Sequence, residues 1–281
     1  MIVLAGVGSG AVLGIVVLRS MIATLRAPVL RRTNHRGAAL PTAGGLVLVL
    51  TVVAAEAALG VVEAGGLNVD AGADDGRRLV VLAVLGFGLL GLVDDVLGSG
   101  QSGGFRAHVS ALARGQLTSG GVKLLGGGAL AVVVMAAIQP GSIGRILADG
   151  ALVALAANLA NLFDRAPGRC LKASLFAFVV LVVLVGAPPE LLGVALVVGA
   201  GLGMLVADLR ERIMLGDAGA NVLGASLGIG VVLTATPPAR NTVLVVLVAL
   251  NLLSEGISFS RVIDRVRPLR AVDRFGRRPP T

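Results

Sequence analysis

Two adjacent carboxylates, Asp94 and Asp95, end the segment Gly91-Leu92-Val93-Asp94-Asp95. Vicinal carboxylates repel unless a cation or basic group compensates them, and their hard oxygens suit Mg²⁺, with Mn²⁺ as the alternative. A second acidic position, Asp164, closes Asn158-Leu159-Ala160-Asn161-Leu162-Phe163-Asp164. On a helix the three-residue spacing puts Asn158, Asn161 and Asp164 near one face. Such amides either bond helix to helix or bind a polar headgroup or sugar nucleotide. Asp217 stands in Leu215-Gly216-Asp217-Ala218-Gly219. It reads as an N-cap or first-turn residue, while Gly216 and Gly219 let a phosphate or metal approach the backbone. Asp208, beside Arg210, Glu211 and Arg212, is expected in a local ion pair. Cations come from Arg31-Arg32-Thr33-Asn34-His35-Arg36, ahead of the turn Pro41-Thr42-Ala43-Gly44-Gly45. They serve orientation or anionic lipid, or, with carboxylates on the same face, a diphosphate bridged by a metal.

These residues have to be positioned by membrane helices. The chain of 281 residues is 56% hydrophobic and only 14% charged, more apolar surface than a soluble domain of this length can hide. Long apolar runs without period-two alternation predict helices and not a barrel. Nine spans are expected, at 1–18, 44–62, 79–93, 124–138, 147–163, 173–187, 190–207, 218–235 and 241–259. The first has no basic stretch before it and reads as a retained span, not a cleaved signal peptide. The whole chain, 1–281, reads as one all-α polytopic membrane domain with a basic tail at 260–281. Trp and Tyr are absent, so arginine takes over interfacial anchoring. One cysteine, Cys170, excludes an internal disulfide, and two histidines are too few for a His-rich metal site.

Alternate loops divide the 24 Lys and Arg residues twenty against four, the smaller set being Arg77, Arg78, Arg145 and Arg240. That asymmetry predicts an external N-terminus and a cytoplasmic C-terminus. The excess positive charge is thus a topology signal, and no basic-aromatic surface for nucleic acid is visible. Laid on this topology, Asp94, Asp95, Asp164, Asp208 and Asp217 all fall at the cytoplasmic rim, although they come from three separate loops. Any one of them alone reads as a solvated helix end; their coincidence on one face is the informative feature. The loop around Glu63, Asp70, Asp74 and Asp75, on the other face, reads as a solvated connector.

At these residues the chain resembles the polyprenyl-phosphate N-acetylhexosamine-1-phosphate transferases, the superfamily of phospho-MurNAc-pentapeptide translocase and related GlcNAc-1-phosphate transferases. The resemblance rests on His35-Arg36 with Pro41 to Gly45, on Gly91 to Asp95, on Asn158 to Asp164, and on Gly216 to Gly219 after the Gly-rich 200–203 stretch, in that order over nearly the whole chain. It implies transfer of an amino-sugar 1-phosphate from a UDP-amino sugar to a polyprenyl phosphate in a bacterial cytoplasmic membrane, in synthesis of cell-envelope precursors. Asp94, Asp95 and Asp164 would be the catalytic carboxylates. Asp217, with Asn161, would hold Mg²⁺. His35, Arg36, Lys123, Asn158 and Asn161 would bind substrate, and the homodimer is one assembly open to it.

The chain also departs from the family pattern. Arg165 follows Asp164 where the family has Asp-Gly, and is expected to pair with Asp164 and take up substrate space. Ala220 follows Gly219 in place of Ser. The His cluster of the last cytoplasmic loop is absent; Arg270 and Arg274 are the candidates to hold phosphate in its stead. Two alternatives therefore stand beside the transferase: a catalytically inactive or regulatory relative binding a polyprenyl lipid or cell-wall partner, and an ion-coupled transporter with rim carboxylates as ion ligands.

Overall fold

A computed structural model describes residues 1–34, 36–67, 74–98, 114, 119–138 and 142–278. The apolar runs form helices as expected: α1 (Ile2–Leu25), α2 (Gly45–Ala64), α3 (Asp74–Leu97), α4 (Ser119–Ile138), α5 (Ile143–Phe163), α6 (Arg169–Val185), α7 (Leu192–Leu209), α8 (Gly216–Thr234) and α9 (Pro237–Ser254). Among the described residues, seven of these are long and apolar enough to cross a membrane: α1, α2, α3, α5, α7, α8 and α9. The chain is an all-α multi-pass membrane protein. The third segment, expected at 79–93, runs for 24 residues, because the helix continues through Asp94 and Asp95 at one end and through Arg77 at the other. Two short helices follow α9, α10 (Phe259–Arg265) and α11 (Arg267–Arg274).

Helix α8 is the axis of the bundle, packed against α2, α3, α5, α6 and α7. Its side chains are buried almost all round, from Ala218 and Val222 to Ile229 and Val232. With lipid on the outside, helix association depends on close packing rather than on a hydrophobic driving force, and small residues permit it. The α1–α7 seam shows this. A Cβ on Gly10 would lie 2.4 Å from the Leu196 carbonyl oxygen, and one on Gly199 would lie 2.2 Å from the Val7 carbonyl oxygen.

The connections define two ends. At one end are the C-terminal ends of α1, α3, α5, α7 and α9, with a small antiparallel hairpin of β1 (Arg31–Thr33) and β2 (Ala39–Pro41), register Arg32 opposite Leu40. The opposite end is held by ion pairs. Arg77 of α3 bonds Glu56 and Glu63 of α2 at 3.3 and 3.0 Å. Glu63, expected in a solvated connector, is therefore tied to the bundle; Asp70 lies outside the described residues. The fully buried Asp149 of α5 is paired with Arg145 and with Arg240 of α9, the latter at 3.2 Å. A carboxylate with this little water is retained only when paired.

The glycine seams lead to a direct expectation. A Cβ on Gly91 would stand 2.4 Å from Ala218 Cα, backbone that cannot rotate away. Gly91→Ala should destabilise the protein by about 1–3 kcal/mol in denaturant titration in detergent, the usual range for overpacking. Gly128→Ala, where a Cβ meets nothing within 4 Å, should leave the midpoint unchanged or raised.

Candidate functional site

The site is built around the first turn of α8. A helix start exposes backbone N–H groups that have no partner within the helix. Here Leu215, at the cap position, supplies no side-chain bond. The partners come from other helices. Asp95 of α3 accepts the Asp217 N–H through Oδ1 at 3.0 Å and the Ala218 N–H through Oδ2 at 3.1 Å. Asp164, at the C-terminal cap of α5, accepts the Gly216 N–H at 3.0 Å. Thr42 of the first loop donates its hydroxyl to Asp95 at 3.3 Å. Negative charge at a helix N-terminus is favoured by both the bonds and the dipole.

The first loop locks onto the same turn through its backbone. Gly44 and Gly45 donate to the carbonyls of Met214 and Leu215 at 3.1 and 2.8 Å, and Met214 donates to Pro41 at 2.7 Å. Gly216 adopts a φ of +73°, and a Cβ there would lie 2.0 Å from the Thr42 carbonyl oxygen. A Cβ on Gly45 would lie 2.0 Å from Gly219 N. The sequence segments 41–45, 91–95, 158–164 and 216–219, separate along the chain, thus meet at one place.

Asp164 carries the electrostatic signature of the cluster. Burial of its carboxyl, then the charges of Asp208, Asp217 and Asp95, push its pKa well above the ordinary 3.8. The donors are hard oxygens and crowd like charge, which suits a divalent cation. Among the described residues, no three Asp, Glu, His or Cys side chains are grouped so as to hold a metal by themselves. Mg²⁺ keeps several waters and is commonly held by one or two carboxylates plus substrate phosphates. Were such a cation to bind here, Asp164 and Asp217 would be the carboxylates to hold it, because both Asp95 oxygens already serve α8.

The other expected residues are distributed unevenly. Asp94 lies half-buried on the last turn of α3, one helical step from Asp95. Asn161 lies half-buried a turn before Asp164. Asn158 is exposed and donates to Oδ1 of the Asn251 side chain on α9 at 2.7 Å, an interhelical amide pair. Arg36 pairs with Glu211 at 3.3 Å, and Asn34 donates to the same carboxylate at 2.8 Å, so the first loop is tied to the α7–α8 connection. His35 and the Lys123 side chain lie outside the described residues. Arg270 and Arg274 sit on α11 and turn to Asp264, through its carbonyl at 3.3 Å and its carboxylate at 3.4 Å.

Two expectations are corrected. Asp208 does not pair with its neighbours Arg210 and Arg212. It is buried and accepts the Gly168 N–H at 2.7 Å, because Gly168 at φ +69° turns that N–H inward. Arg165 is exposed and makes no ion pair with Asp164, whose carboxylate faces α8 instead. Sequence reasoning also missed a clamp. Asp273 of α11 accepts from Arg169 of α6 at 2.7 Å and from Arg277. Burial would push its pKa up, but Arg169, Arg277 and Lys172 hold it below the usual value. Opposite charges a hundred residues apart gave no local signal.

Compared with known proteins, the chain matches no protein-family model and has no significant match among curated proteins.

The raised Asp164 pKa sets a pH dependence. With the folded value above the unfolded one, this carboxyl contributes stability at pH below about 4 that is lost as pH rises through the folded pKa. In metal-free detergent solution Asp164→Asn, which keeps an acceptor for Gly216, should melt above the wild type at pH 8. The gap should close toward pH 4. A gap independent of pH would show that Asp164 is not held protonated by its surroundings.

Proposed function

We propose that this protein transfers an amino-sugar 1-phosphate from a UDP-amino sugar to a polyprenyl phosphate, at the cytoplasmic face of a bacterial inner membrane. The observation that carries this reading is the meeting of Asp95, Asp164, Asp217 and the first loop at the N-terminus of α8. The proposed topology has nine spans with the N-terminus outside, supported by the twenty-to-four division of Lys and Arg.

A phosphate oxygen of the lipid attacks the β-phosphorus of the UDP-sugar. The bond from that phosphorus to the bridging oxygen breaks, UMP leaves with the bridging oxygen, and a lipid diphosphate sugar forms. Asp164 and Asp217, with Asn161, would hold Mg²⁺, which would supply charge neutralisation of the diphosphate. Asp95 positions the first turn of α8, and the role of base toward the lipid phosphate falls to Asp94. Arg36, with His35 and Lys123, supplies cations to the phosphates. The prenyl tail remains in the bilayer while its phosphate meets the soluble nucleotide at the rim.

A second reading, a non-catalytic relative that binds a polyprenyl lipid, is favoured by one observation: Asp95 is committed to backbone donors. The assay separates the two. Purified protein with Mg²⁺, polyprenyl phosphate and a panel of UDP-amino sugars should release UMP, and Asp217→Ala should slow release by about 100-fold or more. Absence of UMP with every sugar, with polyprenyl phosphate still bound, would sink the transferase and leave the second reading. Orientation is tested in a Cys170→Ala background with a membrane-impermeant maleimide on intact cells. Leu67→Cys, exposed at the opposite end, should label, and Ala271→Cys should not.

A further inference from the structure

The chain after α9 does not trail into water. It folds back on the bundle at the level where α5 ends and α6 begins. Phe259 of α10 stacks on Phe163, ring centroids 5.5 Å apart, and Ser260 accepts from Arg169 at 2.7 Å. Helix α11 is pinned through Asp273, which receives Arg169 Nε and Nη2 at 2.7 and 3.1 Å. Lys172 donates to the carbonyls of Val272 and Asp273 at 2.8 and 2.6 Å.

This pinning fixes what α11 presents. At 100° per residue, Leu269, Val272 and Phe275 fall on one side of Asp273, while Arg267, Arg270 and Arg274 fall on the other. The apolar side is not used by the fold: Val272 is 64% and Phe275 79% exposed. Nor is the basic side deeply engaged, since the Arg274–Asp264 pair is exposed on both partners and worth little. An apolar stripe beside an arginine stripe suits the boundary between acyl chains and anionic headgroups. Near the end of the last span and just after it, Leu252, Leu253 and Ile257 are likewise exposed.

We propose that α10 and α11 form an interfacial arm that rests on anionic lipid headgroups, with Leu269, Val272 and Phe275 dipping into the acyl boundary and Arg267, Arg270 and Arg274 binding lipid phosphate. The arm is a surface separate from the rim carboxylates, and it does not depend on the transferase reading. Its ligand is the lipid phosphate layer, and its anchor is the clamp at Asp273. Because Arg169 and Lys172 begin α6, the clamp ties lipid contact to the helix that follows Asp164 and Gly168.

The test uses the full chain, with Cys170→Ala and an environment-sensitive fluorophore on Val272→Cys, in nanodiscs of phosphatidylcholine alone or mixed with phosphatidylglycerol. Quenching by acrylamide, an uncharged aqueous quencher, should be clearly weaker in the anionic discs. Replacing Arg267, Arg270 and Arg274 together by Gln should erase that difference, each arginine accounting for about a fivefold change in the bound-to-free ratio. Phe275→Cys, beyond the end of α11, gives the same readout if a label at 272 displaces the helix. Equal quenching in both lipids would overturn the proposal. So would protection that follows the number of protein copies per disc and not lipid charge, which would make this face a protein interface.

Discussion

The first turn of α8 presents backbone N–H groups that neither its own helix nor the bilayer can satisfy. The solution is to bring two carboxylates to it, from the ends of α3 and α5, and this single requirement organises the end of the bundle. For Asp95 to reach Asp217 and Ala218, α3 has to lie against α8 at a backbone separation that only Gly91 allows. For Asp164 to reach Gly216, α5 has to stop where it does. The first loop completes the arrangement by exchanging backbone bonds with residues 214 and 215.

The carboxylates consequently carry two duties. They satisfy the turn, and they concentrate negative charge at the rim; burial, and then the charges of Asp208, Asp217 and Asp95, raise the Asp164 pKa. A group that holds a helix start in place is also a group held in place. The bonds that make the bundle close also hold Asp164 and the start of α8 rigidly together. Division of labour follows from hydrogen-bond capacity: Asp95 spends both oxygens on the backbone.

Charge elsewhere obeys the same rule. Asp149 between Arg145 and Arg240, Arg77 between Glu56 and Glu63, and Asp273 between Arg169 and Arg277 are pairings of groups poor in water, where an unpaired charge costs several kcal/mol. Each also ties together helices or connections distant in sequence. The last of them turns the basic tail from a loose extension into a docked element with two distinct sides.

The sequence by itself determined the class and the face. Apolar runs of span length have one low-energy outcome in lipid, and placing the acidic residues on alternate loops brought Asp94, Asp95, Asp164, Asp208 and Asp217 to one side. The glycines at 216 and 219 were legible as sites of close approach, though not what approaches them; those at 45 and 91 were not. Only the tertiary structure decided the partners. Asp208 binds the Gly168 backbone and not its arginine neighbours, Asn158 bonds to Asn251, and Asp273 meets Arg169 from about a hundred residues away. The physical reason is that burial and span length are properties of a residue and its near neighbours, summed along the chain. A hydrogen-bond partner is set by which backbone donors and side chains the packed helices leave within about 3 Å, and chain separation carries no trace of that.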